Sequence, residues 1–436
     1  MKFFRKLNFI FSILAAAFCA ENLFAQNFDS AIFSSVRFEA DSRISPQISS
    51  LPEMDARNFA YIALLASGAD DEKIRAHLET LENLSREFSK NLPRGLSNEE
   101  KADAALAFIY EKILSRYQLV QTRVDVAMES GVYNCVSSDV IFIYFAKTLG
   151  IPVVAVETPN HAFCTIESEG KNVDVETTNP FGVNPGRKRV SDLPNGGKQY
   201  LSVPAKNYQN RRDVDDRRML ALIYNNRIAS LQKQRGSSAA TIGLAVDACA
   251  LQANSARAVQ TVAECVCNYA ADLSAAGKYD DALALVLRAQ EIFGSNKNYS
   301  AVIESANYNI LVDKVEKLPL EAALNELQAK RENFSAQNYS KLLGYVYARA
   351  AKEFGDRHEW KSAIQLAERG LSQVPNDSNL KRALDIYKQN YAIDFHNRAV
   401  TLFNAGNIEG AQNTIREGLS EIPDSKVLQN DLVKMK

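Results

Sequence analysis

A repeated helical pattern in the C-terminal half of the chain constrains its fold most strongly. Alanines recur in similar amphipathic surroundings at spacings of 41, 40 and 48 residues. An apolar residue stands three positions before each alanine. Small residues at fixed places let paired helices approach closely, and a repeated period indicates stacked helix hairpins. The pattern predicts an all-α helical-repeat solenoid over residues 219–436. The alanines are Ala282, Ala323, Ala363 and Ala411, and the apolar residues before them are Tyr279, Leu320, Trp360 and Ile408.

These copies resemble tetratricopeptide repeats. Two of them show a Gly-x-Tyr/Ile-x-x-Ala turn, and the helix that follows the turn ends near a proline in the last two copies. That family usually repeats about every 34 residues, so the copies in this chain are longer. The resemblance implies a protein partner that binds through the helical repeats.

The N-terminus predicts a secretory signal peptide over residues 1–25. Three basic residues precede the mostly apolar run of residues 7–18, and small-residue cleavage sites follow Ala20 and Ala25. The run is too short to span a bilayer. We expect cleavage after Ala25 and therefore a periplasmic or secreted protein. Cys19 offers an alternative, a lipid-modified cysteine that would attach the chain to a membrane.

Length and charge limit the classes of protein to which this chain can belong. Its 436 residues predict two or three domains. A hydrophobic content of 46% and a charged content of 24% are typical of a globular protein. The formal net charge is −1, and loss of three basic residues and one acidic residue with the signal peptide makes it −3. This balance lacks the basic excess of a nucleic-acid-binding protein, so no nucleic acid partner is expected.

Five cysteines remain after removal of the signal peptide. An odd number leaves at least one thiol free or paired between chains. Exported proteins meet oxidising conditions, in which a persistent free thiol usually has a function. The five are Cys135, Cys164, Cys249, Cys265 and Cys267.

A long apolar run follows the first of these cysteines. Residues 140–149 are apolar nearly all round a helix, so we expect a buried helix. Its N-cap is predicted among Ser137, Ser138 and Asp139, which places Cys135 just ahead of the helix N-terminus.

Three short strands are predicted after this helix, and they give an antiparallel sheet packed against it, an α+β domain over residues 95–190. A helical lead-in is predicted over residues 26–94. A turn-rich connector is predicted over residues 191–218, and its charged run from residue 211 predicts a solvated helix face. The predicted strands cover residues 153–157, 161–166 and 172–177.

A thiol, an imidazole and two carboxylates follow one another in the predicted domain. The partial positive charge of a helix N-terminus lowers the pKa of a thiol such as Cys135, and its N–H groups can hold an oxyanion. His161 would accept the thiol proton and pass it to the leaving group. Asp174 and Glu176 are two residues apart on a strand and face the same way, so either can orient the imidazole.

No cofactor or metal is expected at these residues. Cys135, His161 and Cys164 contain a metal-ligand combination, but they lack the CxxC or HxxxH spacing of a zinc site. Strand alternation also places Cys164 on the face opposite to His161.

The same segment resembles the transglutaminase-like superfamily of papain-related thiol enzymes. The likeness covers roughly residues 95–185 and includes Cys135, the Leu-Gly-Ile-Pro helix end, Pro-Asn-His-Ala-Phe around His161, and Val-Asp-Val-Glu-Thr-Thr-Asn-Pro. The resemblance implies a papain/transglutaminase-like domain, with Cys135 as nucleophile and His161 as base. In the family's register Glu176 takes the place of an aspartate, and Asp174 stands two residues earlier. The implied reaction is acyl transfer or hydrolysis at amide bonds of a peptide or protein substrate.

A catalytically inactive scaffold is the alternative interpretation. Many members of the family have glycine two residues before the cysteine and an aromatic residue after it, whereas Tyr133 and Val136 occupy those positions here. Repeats also make up nearly half of the chain, which favours protein–protein interaction as its main role.

Overall fold

The structure of the chain, a computed structural model, describes residues 36–44, 53–185, 203, 205–234, 236–252 and 255–435. The predicted signal peptide, the lipidation predicted as an alternative at Cys19 and much of the predicted connector lie outside these residues. The described chain belongs to two compact units. The first extends to residue 276 and also contains residues 284–299, and the second contains residues 277–283 and 300–436.

Three capped helices begin the first unit, and the first two of them lie within the predicted helical lead-in. The side chains of Asp55, Asp70 and Ser97 each accept a hydrogen bond from the first turn of the helix that follows. Ser97 and Glu100 also form a capping box. The helices are α1 (Ala56–Ser67), α2 (Asp71–Asn91) and α3 (Asn98–Lys112).

The buried helix of the first unit begins earlier than predicted. Asn134 caps it: its side chain accepts a hydrogen bond from the N–H of Ser137, whose hydroxyl accepts one from the N–H of Asn134. The prediction of an N-cap among residues 137–139 is therefore wrong, and Cys135 is the first helical residue. The order here is β1 (Arg116–Tyr117), α4 (Val124–Ser130), β2 (Val132–Tyr133) and α5 (Cys135–Thr148), with β1 parallel to β2.

A four-stranded antiparallel sheet packs against α5, as the sequence predicts. Its order is β5–β4–β3–β6. The charged run of the connector supplies the edge strand β6 as well as the start of a helix, which corrects the predicted helix face. Arg212 and Arg218 each lie 2.5 Å from a carboxylate oxygen of Glu157 and hold this edge in place. The strands are β3 (Val153–Glu157), β4 (Ala162–Ser168), β5 (Lys171–Val175) and β6 (Arg212–Val214).

The first helices of the predicted repeat region belong to the first unit. Met219, Ile223 and Tyr224 lie in the same hydrophobic core as α1 and α5. This shared core explains why the predicted boundary at residues 218–219 does not divide the two units. These helices are α6 (Asp216–Leu231), α7 (Ser238–Leu251) and α8 (Ala256–Ala275), and residues of both units contribute to the next, α9 (Tyr279–Phe293).

Each of the four repeat copies has a helix that begins at the predicted apolar residue, and the predicted alanines are fully buried. From residue 320 to residue 434, each helix packs on the next, as in a helical solenoid. The architecture is thus α+β and mostly helical, with a small antiparallel sheet. None of the described helices is long and apolar enough to cross a membrane. The remaining helices are α10 (Lys297–Val315), α11 (Leu320–Ala329), α12 (Ala336–Asp356), α13 (Trp360–Gln373), α14 (Ser378–Asn404), α15 (Ile408–Glu421) and α16 (Lys426–Lys434).

Candidate active site

Cys135 occupies the N-terminus of the buried helix α5. Only 9% of its surface is exposed. The first N–H groups of a helix have no partner within it, and here those of Cys135 and Val136 are of this kind. The helix end also places a partial positive charge beside the thiol.

His161 connects the thiol to a carboxylate. It immediately precedes β4, at the end of a turn in which the N–H of Thr158 donates to its carbonyl oxygen at 2.8 Å. Its Nε2 lies 2.8 Å from Oε2 of Glu176, and the Cys135 side chain is close enough to raise the pKa of the imidazole. Since Nε2 faces the carboxylate, Nδ1 is the ring nitrogen left for the thiol.

Glu176, not Asp174, is the partner of His161. The β4–β5 register pairs Thr165 with Asp174, which places Asp174 opposite a residue four positions from His161, roughly 13 Å along the strand. There Asp174 accepts two hydrogen bonds from Arg211, at 2.9 and 3.0 Å. The structure therefore brings Cys135, His161 and Glu176 together and corrects the inclusion of Asp174 among the candidate catalytic residues.

The charges of His161 and Glu176 support each other. Burial lowers the pKa of His161, but hydrogen bonds and charge interactions with Cys135 and Glu176 outweigh it and raise this pKa to about 10. Burial raises the pKa of Glu176, yet hydrogen bonds from His161, Thr178 and Tyr208 bring it below its usual value. Each partner of this buried pair therefore stabilises the charged form of the other.

A short loop holds the Glu176 carboxylate. The hydroxyl and the N–H of Thr178 donate to its Oε1, at 2.6 and 3.2 Å. The N–H of Glu176 donates to the carbonyl oxygen of Gly182, and a Cβ on Gly182 would collide with the carbonyl oxygen of Glu176. The hydroxyls of Tyr110 and Tyr133 lie 2.8 and 3.1 Å from the carbonyl oxygens of Thr177 and Thr178. Tyr110, Tyr133 and Gly182 thus fix the backbone at and just after Glu176, and Thr178 holds its carboxylate.

Tyr208 belongs to the site, although no sequence pattern indicated it. It ends the 3₁₀ helix Ala205–Tyr208 in the predicted connector. Its hydroxyl donates to Oε2 of Glu176 at 2.7 Å, and its ring stands edge-on to those of His161 and Phe163. Only the tertiary structure brings a residue so distant in sequence onto the sheet face that carries His161.

Cys164 lies on the opposite face of β4 from His161, as strand alternation predicts. It is fully buried, and burial raises the pKa of its thiol. No group of three His, Cys, Asp or Glu side chains suited to a metal ion occurs among the residues that the structure describes.

Comparison with known proteins leaves the family of the chain undefined. No family model matches the sequence, and no curated protein matches it. One solved structure to which the chain is similar is described as "Crystal structure of menin reveals the binding site for Mixed Lineage Leukemia (MLL) protein". The similarity covers 89% of this chain and 86% of that chain, at 12% identity and a TM-score of 0.32. A TM-score this low carries no argument about function.

Proposed function

We propose that the protein is an exported thiol enzyme of the transglutaminase-like class, which hydrolyses or transfers acyl groups at amide bonds of a peptide or protein. The observation that supports this proposal most is the buried His161–Glu176 hydrogen bond beside Cys135, the first residue of α5. A thiol nucleophile, a base and a group that orients the base are the three parts such a reaction needs.

In this mechanism the thiolate of Cys135 attacks the amide carbonyl and forms a carbon–sulfur bond. The N–H groups at the start of α5 stabilise the resulting oxyanion. The imidazolium of His161 gives its proton to the departing amine as the carbon–nitrogen bond breaks. Water or a second amine then attacks the thioester, and His161 accepts the proton of that nucleophile. The carbon–sulfur bond breaks and releases the acyl product and the Cys135 thiolate. Glu176 keeps the ring oriented and stabilises its charged form.

A non-catalytic scaffold is the second candidate. The small exposed fraction of Cys135, 9%, and the helical repeats favour it. In that case a protein partner binds through the repeats, and the buried polar chain serves only to stabilise the fold.

The first test is the alkylation rate of Cys135 by iodoacetamide at pH 7, followed by mass spectrometry of the modified peptide. We expect Cys135 to react at least about tenfold faster than N-acetylcysteine, because an adjacent histidine activates a cysteine nucleophile. His161→Ala should remove this advantage. His358→Asn is the matched control, since His358 is exposed and has a backbone φ of 60° that asparagine tolerates.

A Cys135 that reacts no faster than the free thiol, with a rate unaffected by His161→Ala, would exclude the enzyme. Cellular function that survives Cys135→Ala in a folded protein would instead support the scaffold. Its loss in that variant would support the enzyme.

A further inference from the structure

Asp139 is a fully buried carboxyl group one helical turn after the candidate nucleophile. Its Oδ1 accepts a hydrogen bond from the hydroxyl of Thr177 at 2.5 Å and lies 3.7 Å from Sγ of Cys164. Its Oδ2 is buried and has no hydrogen-bond partner among the described residues. A buried carboxyl group with one unpaired oxygen costs folding free energy. A role at the neighbouring site would account for its presence.

The titratable groups around Asp139 are the thiol of Cys164, the carboxylate of Glu176, the imidazole of His161 and the phenol of Tyr208. Burial raises the pKa of Asp139 to about 8, and the nearby charge of Glu176 adds to this effect. The carboxyl group is therefore mostly protonated at neutral pH, and it acts through hydrogen bonds rather than through charge.

The contacts of Asp139 lead directly to the loop that holds Glu176. Thr177 is the next residue after Glu176, and its hydroxyl lies between Oδ1 of Asp139 and the hydroxyl of Ser138, 2.8 Å away. Asp139 and Ser138 are neighbours on the helix that begins at Cys135. One threonine hydroxyl thus ties the helix carrying the nucleophile to the loop carrying the carboxylate.

We propose that Asp139 is a positioning residue, which fixes the loop holding Glu176 through the hydroxyl of Thr177 and so keeps Cys135, His161 and Glu176 in line. Its effect on reactivity rests on the proposed function, whereas its effect on the imidazole does not. A residue with a merely structural role would change the stability of the protein and leave the His161–Glu176 contact unchanged in the folded state.

The test uses three variants of the full mature chain. Asp139→Ala removes the acceptor of the Thr177 hydroxyl, Thr177→Val removes the hydroxyl with little change in shape, and Asp139→Asn keeps an acceptor oxygen and the side-chain volume. The pKa of His161 is measured by NMR titration of the imidazole protons, with His77, His358 and His396 as internal references. The iodoacetamide rate of Cys135 at pH 7 is the second readout.

We expect Asp139→Ala and Thr177→Val to lower the pKa of His161 by about one unit, because the Glu176 carboxylate is less well held. Both should slow alkylation of Cys135 by about tenfold. Asp139→Asn should restore most of both values, since its amide oxygen can still accept from Thr177. If Asp139→Ala does not fold, Thr177→Val decides the question alone.

Unchanged values of both readouts in a folded Asp139→Ala or Thr177→Val protein would overturn the proposal. So would an Asp139→Asn protein that behaves like Asp139→Ala. A different result would separate the two proposals. In it, Cys135 of the unmodified chain is no more reactive than a free thiol, but Asp139→Ala still lowers the pKa of His161. The proposed enzyme then fails and the positioning role stands.

Discussion

The two units differ in what they bury. Of 19 buried polar or charged residues in the described chain, 17 lie in the first unit, whereas Thr414 and Asp431 are the two in the second. A buried polar group that lacks partners costs free energy, and such groups cluster at functional sites. A catalytic site is therefore expected in the first unit. Cys135, His161 and Glu176 are buried residues of the first unit.

The second unit buries few polar side chains, and small residues let its helices pack closely. Its repeats place fully buried alanines, such as Ala363 and Ala411, at the contacts between helices. Seven residues after each of these alanines, Gly370 and Gly418 lie against aromatic side chains of the preceding helix. Interaction through an extended surface needs this kind of regular packing. The comparison therefore predicts that substitutions at the polar site of the first unit change the reactivity of Cys135. Substitutions in the packing of the second unit should change stability alone.

Replacement of the buried carboxylate should have the largest effect. Glu176→Gln keeps the volume of the side chain but removes the charge that raises the pKa of His161. We expect alkylation of Cys135 at pH 7 to slow by about a hundredfold, within the range for loss of acid–base assistance. The measurement is the iodoacetamide rate in the intact chain.

Asp174→Asn provides the matched control for Glu176→Gln. It changes a carboxylate only two residues away, but one that pairs with Arg211 on a partly exposed surface. Its rate should stay within about twofold of the original, since exposed ion pairs contribute little. Equal losses in the two variants would show that the two carboxylates are not distinguished as the structure indicates.

The pH dependence of stability should give the next largest effect. The pKa of Asp139 is raised from 3.8 to about 8 in the folded chain. The folded state therefore keeps a proton that the unfolded state releases, and stability is lost as the pH rises from about 4 through about 8. Between pH 6 and pH 8 this amounts to about 2 kcal/mol.

Asp139→Asn should remove that part of the pH dependence, as measured by urea unfolding at pH 6 and pH 8. His161 changes stability in the same direction, because its folded pKa of about 10 lies above the ordinary 6.5 and its contribution is lost at higher pH. The difference between the variant and the original chain thus isolates Asp139. Parallel stability curves for the two proteins would mean that Asp139 is ionised in the folded state at pH 6.

Features that depend on neighbouring residues could be predicted from the sequence, whereas contacts between residues distant in the chain could not. Helix starts such as Trp360 could be predicted because an apolar residue and a small alanine recur at a short, fixed separation. The choice between Asp174 and Glu176 needed the register of β4 with β5 and the loop that follows, which no local pattern specifies. Tyr208 could not be found at all, because its contact with Glu176 spans 32 residues and depends on the complete sheet.

A glycine substitution in the second unit should have a moderate effect on stability alone. A Cβ at Gly370 would lie 2.7 Å from Cβ of Tyr347 and 2.8 Å from Cδ1 of Leu380, so helices α12, α13 and α14 must separate. We expect Gly370→Ala to destabilise the protein by about 1 to 2 kcal/mol, as overpacking does. Gln365→Ala, at an exposed position of the same helix, is the control.

The same variant tests the separation of the two units. Gly370→Ala should leave the alkylation rate of Cys135 unchanged while it lowers the midpoint of thermal unfolding. A slower Cys135 in this variant would contradict the view that repeat packing and the polar site are independent.

The smallest effect is expected at Tyr208, and it separates the parts of the polar site. Tyr208→Phe removes one of the donors to Glu176 but keeps the ring that stands against His161 and Phe163. The carboxylate retains its bonds to His161 and Thr178, so only one hydrogen bond, worth about 1 kcal/mol, is lost. Alkylation of Cys135 should then slow about threefold to fivefold, whereas Tyr387→Phe in the second unit should have no effect. A loss as large as that of Glu176→Gln would mean that the carboxylate depends on the connector for its position. In that case the functional unit would extend beyond the helix and sheet that the sequence indicated.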